Sequence, residues 1–454
     1  MGNPHILAIP FPAQGHVIPL MELSQYLAKH GIRITFVNTE GIQKQVIDAL
    51  ATKDGIGNQI HLVSIQDGLE SPEDRYQLEK HAESVLKLFP KKVEELIEQI
   101  NATDSDKITC VVADLMHGWA MEIAAAKGIG RAAFCAAAAT QLAIRSSIQK
   151  LIDNGIIDND GTLIKEQMFQ LSTTMSPMNT AHFAWISIGN KEVQKFFFEN
   201  IVRDNRSINL SEWLLCNSTY DLEPGVFNLF PKIIPIGPLL ASNRLGDTAG
   251  SFWPEDFTCL EWLDQQLQQS VIYVAFGSMT IFNQTQFQEL AMGLELSNKP
   301  FLVVVRPDIT KGINDAYLKG FQERITTRGY IVSWAPQQKV LEHPSIACFL
   351  SHCGWNSTME GISNGVPFLC WPYFGDQMNN ENYICNVWKV GLGFNRDERG
   401  IITREEIKTK VEELLNNEKC KTNALDLKER LMCSVREGGR SYNNLKHFVE
   451  WLKA

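Results

Sequence analysis

A chain of 454 residues is too long for one ordinary hydrophobic core, so two domains are expected. A hydrophobic fraction of 44% and a charged fraction of 21% are those of a folded globular protein and exclude a disordered chain. The formal net charge of −10 repels nucleic acid and anionic membranes over long range, so an anionic ligand would need local groups to hold it.

The N-terminus lacks a basic start and meets prolines after a short apolar run, unlike a secretory signal. Gly2 is not followed by the Ser or Thr of a myristoylation motif. No run approaches the ~18 apolar residues of a membrane helix. A cytoplasmic protein with no stable membrane insertion is expected. Residues 5–10 read as a buried strand, 11–15 as a loop, and 17–29 as a helix with Pro19 in its first turn. Gly31 ends that helix and 32–37 form the next strand, a strand–helix–strand unit that implies parallel pairing.

Further strands are expected near 60–65, 109–113, 131–135, 213–216 and 233–236. The stretch 150–210 is less regular and reads as inserted helices and loops, either a pocket wall or a packed hairpin without ligand role. Residues 241–256, rich in Ser, Asn, Gly and Asp, read as a linker after a first domain at 1–240. A second domain at 257–440 restarts with a strand at 271–276, followed by strands near 301–305, 329–333, 346–350 and 367–370. An amphipathic helix at 441–454 is expected to pack back on the first domain. The fold class is therefore α/β, two doubly wound Rossmann-like domains facing a cleft.

Ten cysteines form no CxxC pair, so reduced, mostly buried thiols are expected. There is no GxxxxGK[ST] or HExxH. Gly128 to Ala133 fits GxGxxA by letter, but it follows a helix and precedes a strand, the wrong order for a dinucleotide turn.

The most informative block runs from Trp334 to Gln377, with SerHisCysGlyTrpAsnSer at 351–357 and TrpProTyrPheGlyAspGln at 371–377. It resembles, nearly residue for residue and at full length, the donor-binding signature (PSPG box) of plant family 1 UDP-sugar-dependent glycosyltransferases. PheGlySer at 276–278 and the opening strand–loop–His16 also fit, so the resemblance covers essentially the whole chain. It implies a GT-B fold, with an N-terminal acceptor domain and a C-terminal UDP-sugar domain. Two positions depart from the family: Val303 stands where Trp is frequent and Ala347 where Gly is usual.

Physical reasoning gives the block the same roles. A strand running through a Gly turn into a helix offers backbone N–H groups and a positive dipole end to a diphosphate. His352, Asn356, Ser357 and, at the matching turn, Ser278 add donors. Glu360 lies one helical turn on, where a carboxylate can accept two ribose hydroxyls. Trp334 offers a face for uracil, and Ala335 and Gln337 read its edge or the ribose. Asp376 and Gln377 suit hexose hydroxyls, and Trp355 is expected to face the sugar. Singly, each has a structural explanation; jointly, their gathering at strand ends favours a ligand.

The block holds no general base. His16, after the first strand, and Asp114, ending the run at 110–114, suit a pair in which Asp orients His and His takes an acceptor proton. Inverting displacement of UDP from a UDP-hexose follows, with domain closure excluding water; Gln377 at the end of the box resembles the glucose users of the family, which implies glucose. No cofactor is expected, UDP-glucose being a substrate, and no metal, since helix dipoles can hold the diphosphate. UDP-galactose, UDP-xylose and UDP-glucuronate stay open as donors, and a catalytically silent binder as another class. The acceptor is a small lipophilic molecule (flavonoid, other phenolic, terpenoid or hormone), attacked through oxygen, carbon or nitrogen. Met116, His117, Phe183, Phe197 and Phe374 are pocket candidates or core. A monomer is expected.

Overall fold

The computed structural model describes residues 3–50, 59–69, 74, 77–103, 107–239, 251–306, 315–325 and 328–454. It divides into two compact units, Met1–Pro254 with Cys433–Ala454, and Glu255–Met432. The second unit ends at Met432 rather than 440. Most of the expected linker, residues 241–250, lies outside the described residues.

The first unit is built on a seven-stranded sheet in the order β3-β2-β1-β4-β5-β8-β9, every pair parallel. The strands are β1 His5–Ile9, β2 Arg33–Thr39, β3 Ile60–Ile65, β4 Cys110–Asp114, β5 Gly130–Cys135, β8 Trp213–Cys216 and β9 Ile233–Pro235. A small antiparallel pair, β6 Met168–Phe169 and β7 Met178–Asn179, lies in the irregular stretch. β1 and β4 are buried at every position, which is why they read as continuous apolar runs rather than alternating ones. The chain winds outward from β1 to β3, then returns to β1's other side at β4, with Ile9 in register with Ala113. The carboxyl ends of β1 and β4 thus bound the point where strand order reverses, where open α/β sheets bind ligands.

The helix after β1 spans Gln14–Lys29, starting earlier than the sequence suggests, so Pro19 sits inside it and not in its first turn. A proline there cannot donate to the Gly15 carbonyl. Gly128, at φ +66°, forms a helix-to-strand turn between the helix Trp119–Ala126 and β5, so the GxGxxA letters carry no dinucleotide site.

The helix Arg440–Lys453 belongs to the first unit. Its apolar face places Leu445, Phe448, Val449 and Leu452 in a buried cluster with β1, β2 and β4 residues such as Ile6, Ile34 and Val112. Phe448 and Trp451 pack on Trp213, with ring centroids 5.3 and 5.9 Å away. Arg440 lies over the Tyr220 ring at 3.9 Å, and Asn444 donates to the Pro235 carbonyl at 2.8 Å.

The second unit repeats the plan with six parallel strands in the order β12-β11-β10-β13-β14-β15. These are β10 Val271–Ala275, β11 Phe301–Val304, β12 Gly329–Val332, β13 Ile346–Ser351, β14 Phe368–Cys370 and β15 Gly391–Gly393. Here the reversal lies between β10 and β13, whose last residues, Ala275 and Ser351, are in register. Val303 is buried in the core with Phe301 and Phe321, so the departure from Trp is a packing change. Among the described residues no helix is long and apolar enough to cross a membrane.

Candidate active site

In the second unit, two turns leave the sheet at its reversal. After β10 the chain passes Phe276 and Gly277, whose φ is +67°, to a half-buried Ser278. After β13 it passes His352, Cys353 at φ +63° and Gly354 into the helix Trp355–Asn364. Gly354 is the N-cap and no side chain caps that end. The first-turn N–H groups, from Trp355, Asn356 and Ser357, have no carbonyl within the helix and face outward with the positive dipole end.

The His352 ring is wedged between the two turns. A Cβ on Gly277 would lie 2.5 Å from its Nε2, and one on Gly354 closer still. Glycine at both positions is therefore what admits the ring. His352 as a residue is only half-buried, but its Nδ1 is sealed. Burial, aided by the nearby Arg306 charge and partly offset by the Ala275 backbone, pushes its pKa down to about 4. At neutral pH it is an uncharged donor, so attraction for an anion must come from the helix end and other cations.

Beside the turns, Gln337 begins a short helix and links three further residues. Its Nε2 donates to Ser357 Oγ at 2.8 Å and to Glu360 Oε2 at 2.5 Å, and its Oε1 accepts from Tyr273 Oη at 3.0 Å. Ser357 therefore belongs with Gln337 and Glu360, not with His352. Burial raises the Glu360 pKa to about 7 against the opposing hydrogen bonds of Gln337 and Gln338. Trp334 is half-buried and its carbonyl accepts from Asp256 N–H at 2.9 Å, while Ala335 is buried and can offer only main-chain groups.

β14 leads into the loop carrying Asp376 and Gln377. Gln377 Oε1 accepts from the N–H groups of Tyr373 and Phe374 at 2.7 and 3.1 Å. Its amide oxygen is thus spent on the loop, and the amide nitrogen is what it can present. Asp376 Oδ2 accepts from Asn380 Nδ2 at 3.0 Å, and the same nitrogen donates to the Cys353 carbonyl at 2.9 Å. Trp355 corrects an expectation. It is 4% exposed and packs near Trp388, with centroids 6.4 Å apart, so its ring belongs to the core.

In the first unit, His16 lies in the first turn of the helix after β1, and Asp114 ends β4. The two meet at the reversal, with His16 Nδ1 2.7 Å from Asp114 Oδ2. The His16 side chain is 32% exposed and Asp114 only 2%. Asp114 Oδ1 also accepts from the Met116 N–H at 2.9 Å, capping a short turn at Leu115–His117. Burial works to raise the Asp114 pKa, but the His16 charge and hydrogen bond and the Met116 N–H outweigh it and hold it below the usual value.

Comparisons with known proteins match both halves. The family of UDP-glucoronosyl and UDP-glucosyl transferases matches residues 228–431, and a glycosyltransferase N-terminal domain family matches residues 4–160. UDP-glycosyltransferase 83A1 of Arabidopsis thaliana is 49% identical, over 100% of this chain and 98% of its own. The chain belongs to the plant UDP-glycosyltransferase family. It is an enzyme that transfers a sugar from a UDP-sugar to a small molecule. Its architecture is that of solved relatives. Os79 from O. sativa in complex with UDP superimposes with a TM-score of 0.82 at 27% identity, over 98% of this chain and 100% of that one. A UDP-glucosyltransferase from Polygonum tinctorium, capable of glucosylating indoxyl, gives 0.82 at 26% identity over 100% of both.

For the transferase, sequence reasoning missed three polar residues. Asn380 ties the His352–Gly354 turn to the Asp376 loop, a link visible only in three dimensions. Thr280, at the end of the turn after β10, is buried and its hydroxyl has no hydrogen-bond partner among the described residues. Arg306, just past β11, is buried behind that turn. Of the acceptor-pocket candidates, His117, Phe183 and Phe197 are buried. His117 packs among Phe11, Phe89 and Trp119, and Phe183 against Trp185 at 5.1 Å, so both are core. Met116 and Phe374 are half-buried.

Proposed function

We propose that this transferase moves glucose from UDP-glucose to a hydroxyl of a small lipophilic acceptor with inversion at the anomeric carbon, His16 acting as general base. The observation that carries the reading is the 2.7 Å contact between His16 Nδ1 and the buried Asp114 carboxylate, with the histidine itself partly exposed. A carboxylate on Nδ1 fixes that nitrogen as the donor, directs Nε2 outward as the proton acceptor, and stabilises the imidazolium once formed. The acceptor oxygen, losing its proton to Nε2, attacks the anomeric carbon as the bond to UDP breaks. One displacement turns an α-linked donor into a β-linked product.

The donor assignment follows the chemistry of the second unit. The diphosphate takes the uncapped helix end at 355–357, the turn at Ser278, Thr280 and the neutral His352. The ribose takes Glu360 and Gln337, uracil stacks on Trp334 beside Ala335, and the hexose takes Asp376 and the Gln377 amide nitrogen. Glucose as the sugar is supported by relatives named for it. These include the Polygonum enzyme above and 7-deoxyloganetin glucosyltransferase of Catharanthus roseus, 31% identical over 100% of this chain and 97% of its own.

The test is a UDP-release assay with a panel of phenolic and terpenoid acceptors, run with UDP-glucose, UDP-galactose, UDP-xylose and UDP-glucuronate, and product linkage read by NMR. His16→Ala is expected to lower kcat by about 10²–10⁴ while UDP binding stays within about twofold. Unchanged turnover of an alcohol acceptor, or an α-linked product, would sink the mechanism. Preference for another donor would sink the glucose assignment alone.

A further inference from the structure

Arg306 is 1% exposed, and its guanidinium grips the turn after β10 at both ends. One terminal nitrogen, Nη1, donates to the Gly277 carbonyl, and the other, Nη2, to the Thr280 carbonyl at 3.0 Å. These carbonyls bracket Ser278 and Met279. A planar fork with two parallel donors suits such a grip, whereas a lysine can satisfy only one end well.

Three observations give this clamp a ligand-directed meaning. First, the turn cannot relax without moving His352, because Gly277 at φ +67° leaves no room for even a Cβ beside the His352 ring. Second, the Thr280 hydroxyl is buried and has no hydrogen-bond partner among the described residues, although its carbonyl is held by Arg306. A buried hydroxyl left unpaired costs free energy, which a ligand oxygen would recover. Third, the charge of Arg306 reaches the site, since together with burial it helps keep His352 unprotonated. A left-handed residue in a strand-ending turn forms the kind of backbone concavity that holds anions, and a cation fixed behind it deepens the potential there.

We propose that Arg306 is a positioning residue for the donor diphosphate: it locks the Gly277–Thr280 turn in its anion-binding shape and supplies fixed positive charge behind it without touching the nucleotide. This rests on the assignment of the diphosphate to that turn. It also answers how a protein of net charge −10 binds an anionic donor when its phosphate-side histidine is neutral.

The proposal separates UDP from uridine, which shares the base and ribose but has no phosphate. Dissociation constants of both would be measured by isothermal titration calorimetry on the wild type, Arg306→Lys, Arg306→Met and Ser278→Ala, with melting temperatures recorded for each. Arg306→Met is expected to weaken UDP about tenfold or more and uridine by less than about twofold. Arg306→Lys, which keeps charge but loses the fork, should fall between wild type and Met. Equal weakening of UDP and uridine in both Arg306 variants would reduce Arg306 to a structural residue and overturn the proposal. So would unchanged UDP affinity in Arg306→Met alongside a loss in Ser278→Ala, which would leave the diphosphate assignment standing. If neither Arg306→Met nor Ser278→Ala weakens UDP, the assignment itself fails and the proposal with it. Should Arg306→Met not fold, the Lys variant decides by the same UDP-to-uridine comparison.

Discussion

Asp114 is buried yet ionised because its two oxygens are taken, one by His16 and one by the Met116 N–H. Asp114→Asn keeps the size and the cap but removes the charge that stabilises an imidazolium. We expect kcat to fall about 10²–10⁴ with UDP affinity unchanged, checked by steady-state kinetics and calorimetry. Glu360 behaves in the opposite sense. Folding raises its pKa from 4.5 to about 7, so between those values the folded enzyme keeps a proton that the unfolded chain has lost. The resulting stability is fully present below 4.5 and is lost as pH rises through about 7. At pH 8 the buried charge costs on the order of 3 kcal/mol relative to low pH. Glu360→Gln avoids that cost. Its melting temperature should exceed wild type by a margin that grows from pH 5 to pH 8, while its KM for the UDP-sugar rises because an acceptor pair for ribose is lost. A margin independent of pH would contradict this. Wild type and variant share His117 and His352, both pushed down to about 4, so the acid loss of stability from those rings cancels in the comparison.

At the scale of elements, the helix Arg440–Lys453 shows how much a single amphipathic segment contributes. Phe448 is fully buried and packs against Trp213. Phe448→Ala should destabilise the first unit by about 3–5 kcal/mol in urea unfolding, while Lys446→Ala on the same helix should change stability by less than about 0.5 kcal/mol. The strands were the legible part of the chain. Runs such as 110–114 and 346–351 are buried on both faces and so announce themselves as unbroken apolar stretches. The helix start at Gln14 was not legible, because Ala13 offers no capping side chain and Pro19 imitates a first-turn proline. Among site residues, His16 and Asp114 stood at strand ends that the parallel reading placed together. Arg306 and Asn380 gave no such signal, since an arginine after a strand or an asparagine on a helix is ordinary until its partners are known. Trp355 failed for a related reason: sequence order puts a tryptophan near the sugar, but only packing decides which way its ring points.

Each unit of the whole molecule has its own parallel sheet and its own buried clusters, so unfolding need not be a single two-state event. The residues proposed to hold the donor all lie in Glu255–Met432. UDP at about 100 times its Kd should therefore stabilise that unit by about 2.7 kcal/mol. Differential scanning calorimetry is expected to resolve a transition that moves with UDP from one that moves less. One transition displaced as a whole would show that the units unfold together.

The first unit is discontinuous along the chain: its sheet is finished by Pro235, yet the helix that covers part of it comes only after Met432. On the ribosome, where domains form as they emerge, this reverses the usual order of completion. The second unit can close while the earlier unit still exposes the bare apolar surface that Leu445, Phe448 and Val449 will seal. A chain truncated before residue 440 should therefore be sticky and protease-sensitive in its N-terminal unit, which limited proteolysis would read. The core of the first unit is thus completed only by residues that follow the whole of the second unit along the chain.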